Sequence, residues 1–468
     1  MSARGRGADD GLRFLSREAC DALVRRIRGF VQGGGETSVG VNSWWSGELR
    51  WARNRVTLAS DRRDLDITVA RALLGSYGHV TLNQMDDVSL AAAVRAAERD
   101  SRTQFPVLEN IEALPPTFTY PTTAIWSDAT YQLTVEERER VALALVEPAE
   151  AAGMLAAGYL QLGATGVAQT GVDGSLFYAR QTAAQCSMTV RDPQGTGSGW
   201  AGLSSYDWTR IDPKALAKRA LDKCLASRNP VTLEPGRYTV ILEPQAVHDL
   251  LSVIMANLDR DYAERQGGPF AAGADNALQL GLTKLGLKIV DERVTISHDP
   301  TDPALGVVPF FVGSGGGIEP VRPATWIDHG VLKALSQERN TYAVPRLTEN
   351  QGQPNTGSYR MSGGPTSVDE MIQTTKRGLL VTRFWNVTLV DAGSLLATGL
   401  TRDGLWLIEN GKISKAVKNF RFTESPLFVL NSIEQMGEPV PVFNPGAPVI
   451  VPPLKARDFS FTSLVDAV

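Results

Sequence analysis

Apolar residues recur at three- and four-residue steps at Cys20, Leu23, Val24, Ile27 and Val31, which places them on one face of a helix capped by Ser16 and stopped by Gly33-Gly34-Gly35. From Thr37 to Leu82 the pattern changes to short β-branched and aromatic runs, Ser38 to Val41, Glu48 to Ala52, Leu65 to Ala72 and His79 to Leu82, separated by Gly, Asn and Asp. An antiparallel meander is expected there. Asp87 then opens a second helix, Val88 to Arg99, with Leu90, Ala93, Val94 and Ala97 at helical spacing. The Pro-containing stretch Phe105 to Thr123 reads as a linker, after which Thr134-Val135-Glu136-Glu137 forms a capping box for a helix running through Val146. Strand-like segments follow around Tyr159, Ser175 to Ala179 and Gln185 to Val190, with a turn at Val172-Asp173-Gly174.

Asp212-Pro213 is a cap and first-turn pair for a helix with the stripe Leu216, Ala217, Ala220, Leu221 and Cys224, and Pro235-Gly236 closes that unit. Beyond Arg237 strand signals dominate, broken by helices at Pro244 to Leu258 and Ser367 to Lys376. The fold class expected is α+β: an N-terminal α/β-meander domain over 1–115, a small middle domain over 116–235, and a large mainly-β C-terminal domain with a few helices over 236–468.

Composition narrows the function classes. The 468 residues are 43% apolar and 21% charged, enough for a sizeable core. A balance of 47 Lys plus Arg against 51 Asp plus Glu, net charge −4, supplies no overall attraction for nucleic acid. Three scattered cysteines, Cys20, Cys186 and Cys224, make neither a disulfide framework nor a zinc cluster. No segment has the length and apolarity of a membrane helix, so a soluble cytoplasmic protein is expected, with neither membrane nor nucleic acid as partner.

Residues that could carry chemistry are few. Gly195-Thr196-Gly197-Ser198-Gly199 and Gly313-Ser314-Gly315-Gly316-Gly317 resemble phosphate loops in composition, but Trp200 and Ile318-Glu319-Pro320 follow them where a nucleotide motif needs Lys-Ser/Thr or a helix. Ordinary turns are the simpler reading. No GxSxG elbow is present. His79, His248, His298 and His329 are dispersed, and a zinc site would have to gather its ligands from separate segments. His248 and Asp249 fall at the border of the stripe Val247, Leu250, Leu251, Ile254 and Leu258, which makes a partly exposed histidine the plain expectation. Asp86-Asp87, Glu136-Glu137 and Asp369-Glu370 stand at helix starts, where the macrodipole explains them. Strand alternation should bury one tryptophan of the pair Trp44-Trp45. Arg402-Asp403-Gly404 reads as a β-turn with a solvated ion pair, the substrate-holding arginine being the alternative.

Three segments resemble the TldD/TldE (PmbA) proteins, the modulator-of-DNA-gyrase family: Leu233-Glu234-Pro235-Gly236-Arg237-Tyr238-Thr239-Val240-Ile241-Leu242-Glu243-Pro244, the start of a C-terminal domain; Ser367-Val368-Asp369-Glu370-Met371-Ile372 followed by Arg377-Gly378-Leu379-Leu380-Val381-Thr382; and the late Gly-rich stretch from Thr398-Gly399-Leu400 through Arg402-Asp403-Gly404-Leu405-Trp406 to Gly411-Lys412-Ile413. The resemblance implies a zinc metallopeptidase system in which TldD-type chains carry HExxxH and a later cysteine, and pair with TldE-type chains that lack them. With His248 laid on the first histidine, Asp249 stands for the glutamate and Val253 for the second histidine, and no cysteine follows Cys224. The resemblance therefore implies a TldE-type member with no catalytic residue, metal or cofactor of its own, zinc being expected in a TldD-like partner. The heterodimer would enclose a cavity for unfolded peptides, with His248, Asp249, Asn355, Arg360, Arg402 and Asp403 as candidates for the peptide groove. Two alternatives remain open: a self-sufficient metallopeptidase with an atypical site using His248, His298 or His329, and a homodimeric peptide-binding scaffold in peptide maturation.

Overall fold

The computed structural model describes residues 13–73, 76–103, 120–171, 174–265, 267–272, 283–312, 318–337 and 354–465. The meander is built of long strands. β1 (Glu36–Ala52) and β2 (Arg55–Leu73) pair along their whole length. Their tight turn places Arg53 and Asn54 at φ 50° and 65°. The first three expected runs were pieces of these two strands, and the fourth, His79 to Leu82, belongs to the next. β3 (Ser76–Leu82) completes the meander on β2.

Helix α1 (Arg17–Gly29) starts at Ser16, whose hydroxyl accepts from the Ala19 N–H, and buries Cys20, Leu23, Val24 and Ile27. Helix α2 (Asp87–Thr103) starts one residue earlier than its sequence suggests, because Asp86 rather than Asp87 accepts the Ser89 N–H at 2.9 Å. The short α3 (Asp128–Gln132) precedes α4 (Val135–Ala151), whose Thr134–Glu137 capping box is reciprocal as expected. The candidate linker Phe105 to Thr123 lies mostly outside the described residues, as do most of the turn at Val172-Asp173 and the whole of Gly313 to Gly317.

β4 (Leu155–Thr170), β5 (Leu176–Arg191) and β6 (Ser198–Ser205) continue the same sheet, with strand order β3-β2-β1-β4-β5-β6 and β4 paired directly to β1. The segments expected as separate N-terminal and middle domains thus share one antiparallel sheet and cannot be parted at residue 115 without breaking the β1–β4 ladder. Alternation sorts its side chains. One face carries Trp45, Leu49, Trp51, Leu160, Leu162, Cys186 and Met188 into cores shared with α4 and with α5 (Pro213–Ala226), while Val39, Val41, Ile67 and Val69 pack on α1 and α2. The other face, on which no helix packs among the described residues, presents Ser46, Tyr159, Gln161, Gln185, Trp200 and Ser204.

From β7 (Gly236–Leu242) onward the chain forms a small barrel. Strand Arg377–Asp391 pairs parallel to β7, β7 pairs with Leu454–Leu464, and the ring continues through Phe420–Glu424 to Leu396–Glu409, which pairs back with Arg377–Asp391. A buried aromatic cluster, Phe384, Phe422, Phe459 and Phe461, belongs to its core, with Phe384 and Phe422 centroids 4.5 Å apart. Helix α6 (Pro244–Met255) packs between this barrel and a second, smaller six-stranded sheet that includes strand Tyr359–Met361. Phe443 and Asn444 join the two halves. Phe443 stacks edge-on to Trp200 and Tyr159, and the Asn444 N–H donates to Ser204 Oγ at 2.9 Å. No helix among the described residues is long and apolar enough to cross a membrane.

Candidate functional site

α6 begins where Pro244 occupies the first turn and ends before Asn257, and its Val, Leu and Ile stripe locks it onto the barrel. Glu243, in the cap position, makes no side-chain cap because its carboxylate pairs with Lys223 from α5. Lys223 also donates to Thr382 Oγ1 at 3.2 Å, so α5, α6 and strand Arg377–Asp391 meet at one polar knot.

His248 is buried, at 7% exposure, rather than at the solvent border its sequence position suggests, because Tyr359 and Asn444 close over the helix there. Its Nδ1 lies 2.8 Å from the Tyr359 hydroxyl. Burial pushes the imidazole down to about 4, partly offset by a hydrogen bond with Asn444, so the ring is neutral at physiological pH. Asp249 spans from α6 to the barrel. Its Oδ2 accepts the backbone N–H of Phe384 at 2.8 Å and its Oδ1 accepts from Gln245 Nε2 at 3.0 Å. Burial raises its carboxyl to about 7, against the opposing influence of those hydrogen bonds and of the Arg383 charge. Gln245 in turn exchanges two hydrogen bonds with the Phe443 backbone, at 3.1 and 3.2 Å.

Arg402 and Asp403 do not form a solvated turn. They lie inside strand Leu396–Glu409, where a bulge sets Asp403 and Gly404 opposite Thr382 and places Asp403 at φ 58° and Gly404 at φ 127°. The register of the closed barrel, not the local Arg-Asp-Gly composition, decides this. Asp403 is fully buried, and its Oδ2 receives both Nε (2.8 Å) and a terminal nitrogen of Arg383. The bulge also borders a cavity of about 360 Å³ lined by Gly195, Gly197, Ser227, Gly404, Lys418 and Asn419. Gly195 is a turn residue there, at φ 73°, so the first Gly-rich segment is a turn that also walls a pocket.

The structure thus gathers His248, Asp249, Arg402 and Asp403 around the start of α6 and the bulge. Asn355 and Arg360 are elsewhere: Asn355 Nδ2 donates to the Met255 carbonyl at 2.7 Å at the far end of α6, and Arg360 pairs with Asp302 at 2.7 Å. His298 is buried, whereas His79 and His329 are exposed. Sequence reasoning missed Arg383, Trp200 and Trp385. The available signal was an arginine interrupting the apolar run Leu379 to Trp385.

A zinc centre needs about three or four converging protein donors. Here one imidazole nitrogen is engaged by Tyr359, Val253 has no lone pair and lies in the core, and no set of three His, Cys, Asp or Glu side chains among the described residues is placed to hold a metal. The residues present do not fit a zinc centre.

Residues 235–463 match the PmbA/TldA metallopeptidase C-terminal domain. Through this domain the chain belongs to the PmbA/TldD family. The PmbA/TldD domain accordingly comprises the barrel, α6 and the smaller sheet. Three solved structures resemble almost the entire chain. A protein described as a modulator of DNA gyrase from Bacteroides thetaiotaomicron aligns with TM-score 0.79 at 18% identity, over 96% of this chain and all of its own. TldE from Thermococcus kodakarensis aligns with TM-score 0.77 at 17% identity, over 95% of this chain and 100% of that one. A further protein described as a modulator of DNA gyrase, from Thermotoga maritima, reaches 0.76 at 16%, over 95% and 99% of the two chains. At these identities the likeness is one of fold. No curated protein matches the chain in sequence.

Proposed function

We propose that this PmbA/TldD-family chain is a TldE-like, non-catalytic subunit of a heterodimeric zinc metallopeptidase, forming part of a cavity in which unfolded peptides reach the zinc of a TldD-like partner. The observation that carries the reading is the state of α6. Where a TldD-type helix would bring two histidines and a glutamate to the metal, His248 is engaged by Tyr359, Asp249 is spent on the Phe384 backbone and Val253 faces the core. The sheet face away from α4 and α5 adds a second support: beside the part that Phe443 and Asn444 cover, it carries Ser46, Gln161 and Gln185, side chains that suit an extended peptide bound through backbone polarity rather than a specific side chain.

Co-expression with a TldD-type chain tests this. A one-to-one complex in size-exclusion with light scattering is expected, with cleavage of denatured casein abolished when the glutamate of the partner's HExxxH is replaced. Chelator-sensitive cleavage by this chain alone, with one zinc per chain by elemental analysis, overturns it.

A further inference from the structure

Arg383 and Arg402 converge beside the bulge, and the charge of Arg191 acts on Arg402. Arg383 lies over the Trp200 ring at 4.5 Å and the Trp385 ring at 5.4 Å, and Arg402 lies over the Trp385 ring at 5.0 Å. Burial depresses the Arg402 guanidinium; Asp403 opposes that, and the charges of Arg191 and Arg383 reinforce it, so all three cations are close. The carboxylates nearby are committed. Asp403 Oδ2 serves Arg383, Asp249 binds the Phe384 N–H and Gln245, Glu243 pairs with Lys223, and Asp192 turns into the β5–β6 turn to accept from Thr196 Oγ1. Arg402 Nε is buried, makes no hydrogen bond and lies 3.8 Å from the same Asp403 Oδ2, so two guanidinium groups share one carboxylate.

With one carboxylate shared between two guanidinium groups, the cluster is short of negative charge in a half-desolvated place, where an incompletely paired cation is costly. The side chains of Arg383 and Arg402 are 14% and 26% exposed, so the cluster is shielded yet reachable. Stacking on Trp385, itself 47% exposed, holds both guanidinium planes while leaving donor edges for a planar two-oxygen acceptor.

We propose that Arg191, Arg383 and Arg402, with Trp385 as their platform, form a binding site for a carboxylate group of a peptide, supplied by its C-terminus or by an acidic side chain. That the carboxylate belongs to a peptide rests on the function proposed above; the anion site itself does not. A guanidinium–carboxylate pairing already exists at this spot, two Arg383 nitrogens meeting one oxygen of Asp403.

The test is calorimetric titration of the full chain, without a partner, with three acetylated, unstructured hexapeptides: one with a free C-terminus, one amidated and neutral, and one amidated with a single Glu. Binding of the free acid about tenfold tighter than the neutral amide supports the C-terminal source, and the same advantage for the Glu peptide supports the side-chain source. Arg402→Gln should remove that advantage. Trp385→Leu, at an exposed ring, should do the same and keeps the test open if Arg402→Gln fails to fold. Equal affinity for all three peptides, an advantage that survives both substitutions, or displacement by inorganic phosphate at lower concentration than by acetate overturns the proposal. None of these outcomes depends on heterodimer formation, so failure here is separable from failure of the subunit role.

Discussion

The imidazole of His248 and the hydroxyl of Tyr359 meet at 2.8 Å inside the protein, tying α6 to strand Tyr359–Met361. Both groups are buried, so each depends on the other for a partner that water cannot supply. Tyr359→Phe keeps the ring packing but strands the imidazole nitrogen, at a cost of about 1–3 kcal/mol. Urea unfolding should show a lower midpoint at unchanged slope; an unchanged midpoint would mean that the hydrogen bond contributes nothing net.

Stability should respond to pH through opposing groups. The folded values of His248 and His298 lie at about 4, below their ordinary 6.5, so between those limits the unfolded chain binds more protons and both contributions are lost as pH falls. Asp249 works the other way. Its folded value of about 7 lies above its ordinary 3.8, so its contribution is complete at low pH and is lost as pH rises toward 7. Asp249→Asn removes that compensation. Urea midpoints at about pH 6.5 and about pH 4.5 should therefore differ more in the variant than in the wild type. Parallel profiles would show that Asp249 does not titrate in this range.

Asp403 sits at φ 58°, a conformation that asparagine also tolerates, so Asp403→Asn removes charge with little backbone consequence. The buried Arg383 then loses its counter-ion, at a cost of about 3–5 kcal/mol. Thermal and urea denaturation should both report a large loss. A loss below about 1 kcal/mol would place the pair among weak surface ion pairs.

All three cysteines are fully buried thiols. Burial pushes the Cys186 thiol up to about 12 and the Cys224 thiol up to about 11, away from the reactive thiolate. A chromogenic disulfide reagent at neutral pH should label none of them in the native protein and all three in denaturant. Rapid native labelling would reveal local opening of the helix-covered sheet face.

Helix starts were legible because capping is local. Thr134 with Glu137, Ser367 with Glu370, and Asp212 before Pro213 act within one turn of chain. The burial of Trp45 and Trp51 beside a less buried Trp44 followed from alternation alone. Long strands were harder to read, since Ser46 and Gln161, on the face away from α4 and α5, look like loop residues when neighbours are unknown. The same limit applied to the site. Asp403 next to a glycine has turn composition, and only the pairing of Val381 with Leu405 and of Arg383 with Arg402 across the barrel turns it into a buried bulge.

The order of residues by itself determined which donors α6 can offer: one histidine, an aspartate beside it and a valine five positions on, whatever surrounds them. Membership in the PmbA/TldD family was also legible in local motifs. Tertiary structure alone decided that the imidazole is neutral and engaged, that Asp249 bridges to the Phe384 backbone, and that Arg383 and Arg402, on paired strands, share the ring of Trp385. Burial and through-space charge depend on what packs against a group, and those neighbours come from strands joined by non-local ladders rather than from adjacent sequence.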